Sequence, residues 1–172
     1  MMCRWNCVTV NVVGSQENGW RHYELYWKRN AALSKPSNSS SVWPWDSHFY
    51  HASYAVDGRL VHGISAHQCF LSNNESSPWF QVDLYGDYLI SFLRLFYRMD
   101  MNGNEFHDIS VQVSQMGSIF QVCGFFKGPG ISKQVVDVLC KASGYTRFVR
   151  LQITAGSHNT LLLCEVEVYT LN

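Results

Sequence analysis

Charged residues are scarce in this chain, and the ones present cancel. Only 15% of the 172 residues are Asp, Glu, Lys or Arg, and thirteen basic residues balance thirteen acidic ones. About a quarter is usual for soluble domains. The sequence also has no block of basic residues, so it lacks the electrostatic footprint of a protein that binds nucleic acid through its phosphates. We therefore expect no nucleic-acid partner.

Long apolar runs are lacking as well. No stretch approaches the roughly 18–20 residues that a membrane-spanning helix requires. The first stretch, MMCRWNCVTVNVVGSQ, has no long apolar core before a small-residue cleavage site, so no secretory signal peptide is visible.

Sequence motifs of enzymes and zinc sites are missing too. G-x-S-x-G, the P-loop, H-E-x-x-H, G-x-G-x-x-G and C-x-x-C do not occur. The segment DSHFYH (46–51) gathers carboxylate, hydroxyl and imidazole groups, but neighbours in sequence do not make the geometry of a catalytic triad. We expect a protein that is not an enzyme.

Apolar residues and cysteines are plentiful. The hydrophobic content of 47% supplies a core for one domain of ordinary size. Six cysteines favour a disulfide framework, with 15 possible pairings. With Asn-x-Ser sequons at Asn38 and Asn74, they indicate a secreted protein or the extracellular part of a membrane protein. Because no signal peptide is visible, we expect the sequence to be a fragment or interior module.

Short segments of alternating apolar and polar residues recur along the chain. Examples are ISVQVS (109–114), RFVRLQIT (147–154) and CEVEVY (164–169), and no long stripe of helical period accompanies them. This pattern predicts an all-β fold, an antiparallel sandwich or barrel. We expect residues 1–29 to be an N-terminal extension or linker and residues 30–172 to form the domain.

A polar run and two acidic residues mark one candidate site. Residues 72–77 are all polar or small, and they form either a solvated connector or the floor of a site positioned by the next strand. Asp57 precedes a turn glycine, and Glu165 follows Cys164. If Cys69 pairs with Cys164, both carboxylates lie towards one end of the sandwich. Two hard oxygens together with backbone carbonyls suit calcium.

The other cysteines leave their pairing open. Cys123 and Cys140 flank a strand–turn–strand pattern, so a bridge between them would close a short, hairpin-like loop. Cys3 and Cys7 have no evident partner other than each other or another chain.

Six segments, in order, resemble the fucolectin (F-type lectin) family, the sugar-binding branch of the discoidin-like, coagulation-factor C-type domains. They are NAALSKPSNSSS, ASYAVDG, a cysteine followed by PWFQVDL, YRMD, RFVRLQ and LLLCEVEVY. The resemblance covers about residues 30–169. It implies a β-sandwich jelly roll, the disulfides Cys69–Cys164 and Cys123–Cys140, and calcium (Ca2+) near the binding end.

The resemblance also implies a set of calcium ligands. They are Tyr54, Asp57, Arg59, Gln68, Cys164 and Glu165. Several would bind through main-chain carbonyls, so the side chains of Tyr54 and Arg59 need not be ligands. Gln68 stands where the family has a serine, which departs from the pattern.

Fucose recognition in the family uses a histidine, an R-x-D motif and a second basic residue. Imidazole and guanidinium groups donate hydrogen bonds to the sugar's hydroxyls and ring oxygen. Here Arg98 and Asp100 supply the R-x-D, but Leu71 stands at the histidine position and Glu105 at the second basic position. Arg98 is either a ligand contact or a structural partner of an acidic neighbour. The chain is therefore not expected to be a standard fucose binder.

An aromatic segment lies where the family places a loop on the ligand rim. The segment SVWPWDSHFYH (41–51) contains Trp43, Trp45, Phe49 and Tyr50. These side chains either cover the core or form a platform for a sugar face, a lipid or a protein.

From these observations we predict an extracellular, calcium-stabilised carbohydrate-binding domain whose partner is a glycan or glycoconjugate. Single sites of this kind are weak, which favours tandem repeats or a homo-oligomer. The alternative is a discoidin-type adhesion or receptor module, which would bind a cell-surface protein or membrane through residues 41–51 and carry a vestigial sugar pocket.

Overall fold

The computed structural model describes residues 16–17, 20–21, 29–45, 48–60, 68–98, 103–132, 134–141 and 144–171. The strands in these ranges are β1 (Gln16–Glu17), β2 (Trp20–Arg21), β3 (Ser37–Ser39), β4 (Pro44–Trp45), β5 (His48–Phe49), β6 (Phe70–Leu71), β7 (Trp79–Tyr88), β8 (Ile90–Phe96), β9 (Ile109–Ser114), β10 (Gln121–Phe126), β11 (Val135–Leu139), β12 (Thr146–Ile153), β13 (Leu162–Leu163) and β14 (Glu165–Thr170). Short 3-10 helices span Ala52–Val56 and Gly103–Glu105. No helix in the described part of the chain is both long and apolar enough to cross a membrane.

Two antiparallel sheets face each other across the core. The larger has the order β10-β9-β12-β7-β3, and the smaller has the order β11-β8-β14. The prediction of an all-β, antiparallel sandwich is confirmed.

Alternation along the strands decides which side chains form the core. On β12, Val149 and Leu151 are buried, and the residues that alternate with them, Arg150 and Gln152, are only half-buried. On the smaller sheet Leu93 and Leu95 point inward and are fully buried. Burial of one face per strand is what the period-2 pattern predicts, because successive side chains point to opposite faces of a sheet.

Several loops meet at one end of the sandwich. We call this end the rim: residues 40–45, 48–60, 68–78, 97–98, 103–108 and 154–164. It includes the β4–β5 hairpin and the small β6–β13 sheet, in which Leu71 pairs with Leu162.

Both disulfides implied by the family resemblance are present. Cys69 is bonded to Cys164, which fastens the segment before β6 to the start of β14. Cys123 is bonded to Cys140. Cys3 and Cys7 lie outside the described residues.

The expectation that Cys123 and Cys140 close a hairpin-like loop is wrong. Their strands β10 and β11 belong to different sheets, so the bridge ties the two layers of the sandwich together. The physical reason lies in the connection, of which the structure describes residues 127–132 and 134. It crosses from one sheet to the other around Gly128 and Pro129 instead of making a tight turn.

Asn30 and Ala31 are hydrogen-bonded to the last strand, β14. The Asn30 side-chain oxygen accepts a hydrogen bond from the Val168 N–H at 2.9 Å, and the Ala31 N–H donates to the Val168 oxygen at 2.9 Å. Most of the predicted extension 1–29 lies outside the described residues, and the boundary at residue 30 stays a prediction.

Candidate functional site

The aromatic hairpin is fastened to the strand that carries Leu71. The Trp43 N–H donates to the Leu71 oxygen at 2.8 Å, and the Leu71 N–H donates to the Tyr50 oxygen at 3.3 Å. The Tyr50 N–H closes the hairpin by donating to the Trp43 oxygen at 3.3 Å. The hairpin therefore lies directly beside Leu71, the residue that the resemblance assigns to the histidine position.

The side chains of this hairpin divide between core and solvent. Tyr50 is buried, and its burial raises the pKa of its hydroxyl. Phe49 is 50% exposed, and Trp43 is half-buried. Tyr50 thus covers the core, whereas Phe49 remains accessible, and the role of the segment as a platform for a ligand stays a prediction. The side chain of Trp45 lies outside what the structure describes.

Further rings extend this surface towards the 3-10 helix. The His48 ring stacks on the Tyr54 ring with centroids 6.3 Å apart, and His51 meets Tyr54 edge-on at 6.1 Å. The Phe49 and His51 rings lie 5.8 Å apart. These contacts hold the hairpin rings and the helix as one aromatic cluster.

The polar run 72–77 fastens the loops of the rim together. Ser72 is fully buried, and its hydroxyl accepts from the Leu161 N–H at 2.8 Å and donates to the Asn73 oxygen at 2.9 Å. The Ser41 hydroxyl accepts from the Asn73 N–H at 2.9 Å and donates to the Glu75 carboxylate. Ser72, Asn73 and Glu75 are therefore structural parts of the rim, while the other residues of the run are exposed to solvent.

Sequence reasoning missed the partners of this run. Glu75 exchanges backbone hydrogen bonds with Asn159, whose side-chain amide also donates to the Ser76 oxygen at 2.9 Å. Ser41 and Glu75 are 34 positions apart, and Ser76 and Asn159 are 83 apart. No local pattern reveals contacts between residues so distant in sequence; the only signal was the unusual density of small polar residues.

Three of the positions that the resemblance assigns to the fucose motif, Leu71, Arg98 and Glu105, lie on the rim. Arg98 follows β8 and is 8% exposed. It lies two positions after Phe96, whose main-chain oxygen accepts a hydrogen bond from the Cys164 N–H at 2.8 Å. Glu105 ends the second 3-10 helix, is exposed, and accepts a hydrogen bond from the Tyr97 hydroxyl at 3.3 Å. Asp100 lies outside the described residues.

Glu165 is the most unusual acidic residue of the predicted calcium set. It is only 1% exposed, and the Gly58 N–H donates to its Oε2 at 3.1 Å. Its other oxygen, Oε1, is buried and has no hydrogen-bond partner among the described residues. Burial, reinforced by the negative charge of Asp57, raises the pKa of Glu165 to about 8. A buried, unsatisfied carboxylate oxygen is what a bound cation would satisfy.

Gln68, Tyr54 and Arg59 are also in the predicted ligand set, and each belongs to a different segment around Glu165. Gln68 precedes Cys69, which the disulfide joins to Cys164. The Tyr54 residue lies in the 3-10 helix just before the Asp57 turn. The Arg59 side chain is 68% exposed, with its Nε 4.0 Å from the Asp57 carboxylate, so a ligand at this position would be the main-chain oxygen.

The donor set as a whole fits a hard cation. Across the described ranges, no three His, Cys, Asp or Glu side chains cluster as a metal site. Calcium held here would therefore depend on main-chain oxygens in addition to Glu165 and Asp57, a mixture that calcium accepts readily. The assignment of these six ligands stays a prediction.

Solved structures share this architecture. The lectin domain of lectinolysin, determined with Lewis b antigen, has a TM-score of 0.69 at 24% identity, with 84% of this chain and 98% of that chain covered. A Streptococcus pneumoniae fucose binding module has a TM-score of 0.71 at 19% identity, with coverages of 91% and 99%. A fucolectin from the serum of striped bass, Morone saxatilis, has a TM-score of 0.72 at 22% identity, with coverages of 84% and 50%. These similarities show the jelly-roll, discoidin-like fold.

No curated protein matches this chain. The family model described as a NedA-like, galactose-binding domain matches residues 54–151, which is more than half of the chain. The matched range begins in the first 3-10 helix and runs through β6–β11 into β12, so it includes the turn at Asp57 and about half of the rim, but neither the aromatic hairpin nor Glu165. The chain therefore belongs to the F5/F8 type C family of NedA-like, galactose-binding domains.

Proposed function

We propose that this domain binds a glycan at the rim, in the extracellular space, and that calcium stabilises the binding loops. The single observation that supports this most strongly is the pair of backbone hydrogen bonds between the aromatic hairpin and Leu71. They hold exposed rings beside the position of the missing histidine. Membership of a galactose-binding family and the glycan-binding descriptions of its structural neighbours support the same conclusion.

The chemistry of the rim suits a sugar. Phe49 and the half-buried Trp43 offer apolar rings to the carbon face of a pyranose, and ring packing of this kind is the main apolar contribution in such sites. Arg98 supplies hydrogen-bond donors at the same end of the sandwich. With Leu71 and Glu105 in place of basic groups, the ligand is a glycan bound by stacking and a few hydrogen bonds, and not by the standard fucose set.

Calcium has a structural role in this proposal. Glu165 would bind it through the unsatisfied Oε1, and Asp57 would supply the second carboxylate beside it. When bound, the ion would take the place of the proton that the raised pKa keeps on Glu165 at neutral pH, and it would order the turn after Val56. The chain's own residues then present the aromatic cluster in one conformation, which lowers the entropy that a ligand must remove on binding.

The domain performs no reaction in this proposal. Disulfides across the core and at the rim fit the oxidising environment of a secreted or cell-surface protein. A single shallow site gives modest affinity, so we expect tandem domains or oligomers to supply avidity.

Removal of the two accessible rings tests this proposal. We expect the double variant Trp43→Ser, Phe49→Ser to lose about tenfold or more in affinity for glycosylated cells, because hot-spot aromatics carry much of a binding free energy. Glycosidase treatment of the cells is expected to remove wild-type binding. The measurement is a cell-binding titration by flow cytometry.

The matched control is Tyr85→Ser, which removes a 65% exposed ring from the opposite half of β7. Its binding is expected to equal that of the wild type, and thermal denaturation checks that all variants fold. Wild-type binding that survives deglycosylation and extends to protein-free liposomes, but is lost in the double variant, would contradict the lectin proposal. That outcome would favour the adhesion alternative.

A further inference from the structure

Three arginines lie on the outer faces of the sheets, and two of them are paired with an aspartate. Arg94 donates to both oxygens of Asp137 at 2.7 and 2.8 Å. Arg147 donates to both oxygens of Asp83 at 2.7 Å. The third, Arg150, has no ion pair to any acidic residue in the ranges that the structure describes.

A glutamine stands opposite Arg150 where Arg94 has its aspartate. Asp137 is the cross-strand partner of Arg94, and Gln81 is the cross-strand partner of Arg150. The Nε and Nη2 groups of Arg150 both donate to Gln81 Oε1, at 3.2 and 2.8 Å. An amide oxygen satisfies hydrogen bonds but leaves the positive charge uncompensated.

Two aromatic rings hold the guanidinium in place. It lies 4.6 Å from the centre of the Trp79 ring and 3.9 Å from the centre of the Phe120 ring. Because two rings hold the guanidinium in one orientation, a ligand that binds it does not have to order the Arg150 side chain and avoids that entropy cost.

The charge of this arginine persists at neutral pH. Partial burial lowers the pKa of Arg150, yet a guanidinium in a protein remains protonated. Asp83 lies two positions along β7 from Gln81, but its carboxylate is already engaged by Arg147. Of the five N–H donors in the fork, Gln81 takes two, and the others are available to an acceptor.

Neutral amides surround the cation on the other side. Gln112, the cross-strand neighbour of Arg150 on β9, donates to Gln152 Oε1 at 3.1 Å and to the Ser110 hydroxyl at 3.4 Å. Arg150, Gln81, Gln112 and Gln152 are all half-buried, so they keep some surface open to solvent. The face thus combines one uncompensated cation, apolar rings and amides, and β12 places it in the middle of the five-stranded sheet.

We propose that the outer face of the five-stranded sheet is a second binding site, for an acidic sugar residue of a glycan, with Arg150 binding its carboxylate or sulfate group. Trp79 and Phe120 would keep the guanidinium in place by stacking on it, and Gln81 and Gln112 would bind the sugar's hydroxyls. This site is separate from the rim and goes beyond the function proposed above. Charge complementarity identifies the occupant as anionic.

The position of the site favours a glycan over an acidic peptide. A peptide strand adds to a sheet at an exposed edge, through main-chain hydrogen bonds. β12 has no free edge, because β9 and β7 pair with it on both sides. A ligand on this face meets side chains only, and a ring bearing hydroxyls and one negative group matches those side chains.

Binding of defined oligosaccharides to the whole chain tests the proposal. The probes are a hexamer of galacturonic acid, which carries carboxylates, a heparin-derived hexasaccharide, which carries sulfates, and a neutral galactose hexamer. The neutral and anionic probes are compared in the rim variant Trp43→Ser, Phe49→Ser, so that binding at the rim does not contribute. There we expect at least one anionic probe to bind measurably by isothermal titration calorimetry and the neutral probe to bind at least tenfold more weakly. Binding should weaken as salt rises, because the contact is an ion pair near the surface.

Substitution of Arg150 locates the effect. Arg150→Gln is expected to weaken binding of the anionic probe about tenfold or more, and Arg150→Lys to recover part of the loss, since lysine keeps the charge but not the planar fork. Arg94→Gln removes the same charge from the other sheet and is expected to leave binding within twofold of wild type. The rim variant Trp43→Ser, Phe49→Ser should also keep this binding, which separates the second site from the rim.

Three results would overturn the second site. They are equal affinity for the neutral and anionic probes, equal loss in Arg94→Gln and Arg150→Gln, and a poly-glutamate peptide that binds as tightly as the anionic sugars. If Arg150→Gln fails to fold, the comparison of Arg150→Lys with wild type tests the proposal instead. An Arg150→Lys variant that binds the sulfated and carboxylated probes as tightly as the wild type would contradict the proposed role of the planar guanidinium.

Discussion

Leu71 and Glu105 are the two residues on which the prediction of a non-standard sugar site depends. Leu71 offers no hydrogen bond from its side chain, and Glu105 carries a negative charge where that family has a positive one. In the structure the Leu71 backbone is committed to the hairpin on one side of β6 and to Leu162 on the other. A change at this residue therefore alters the chemistry of the rim without freeing a strand.

Restoration of the family's residues tests whether these two positions are correctly assigned. We expect Leu71→His combined with Glu105→Arg to gain binding of free fucose, with a dissociation constant on the order of 1 mM, because the imidazole and guanidinium supply the missing donors. NMR titration with fucose measures it, and the wild type is expected to show no binding.

The matched controls are the single variants, each of which restores only one donor and should bind at least several-fold more weakly. A double variant that folds with the wild-type melting temperature yet shows no fucose-dependent shifts would contradict the positions assigned to the motif. Such a result would not contradict the proposed role of the aromatic hairpin.

Among the elements, the strands with clean alternation were predictable from the sequence. Ile109, Val111 and Val113 are buried as the pattern of β9 requires. Burial on the outer face of β8 was not predictable from the sequence. Phe92 points away from the core, yet it is buried because its ring stacks on Tyr169. Alternation predicts the face a residue occupies, but what covers that face depends on tertiary contacts.

The pairing of elements was harder to predict than their existence. The order of strands β10 and β11 in sequence resembled a hairpin, yet the two strands lie in different sheets. A glycine- and proline-containing connection is compatible with either arrangement. Only long-range pairing, β10 with β9 and β11 with β8, distinguishes them.

The ion pair between β7 and β12 gives an element-scale prediction. The hydrogen bond from Arg147 lowers the pKa of Asp83, so the folded protein keeps this carboxylate ionised to a lower pH than the unfolded chain does. Its stabilisation is complete above the ordinary aspartate pKa of about 3.9 and is lost as the pH falls through the lower folded-state pKa. Because Arg147 is 42% exposed, we expect Asp83→Asn to cost no more than about 1 kcal/mol at neutral pH.

Urea unfolding at several pH values measures this effect. The free-energy difference between wild type and Asp83→Asn is expected to shrink as the pH falls below about 4, because the wild-type carboxylate is then also neutral. Gln81→Asn, which alters the same strand without a titrating group, should show a difference that does not change with pH. A constant difference for Asp83→Asn across the acid range would exclude this role of the pair.

At the scale of the whole molecule, the fold was predictable and the detailed site was only partly so. The order of the motifs was sufficient to predict the sandwich and the pairs Cys69–Cys164 and Cys123–Cys140. The network of Ser41, Glu75 and Asn159 was not predictable, because its members come from three distant segments. The Arg150 surface could not be predicted either. The segment RFVRLQ resembles a strand of the family, and only the pairing of β12 with β7 reveals that Gln81, and not an aspartate, stands opposite Arg150.

The most direct test of the domain's function is a glycan microarray probed with the wild-type chain in calcium and again after chelation. We expect binding to a restricted set of glycans, without a requirement for terminal fucose, and a marked loss of both binding and melting temperature when calcium is removed. No binding to any glycan in calcium, together with an unchanged melting temperature after chelation, would contradict both the glycan ligand and the calcium-stabilised rim.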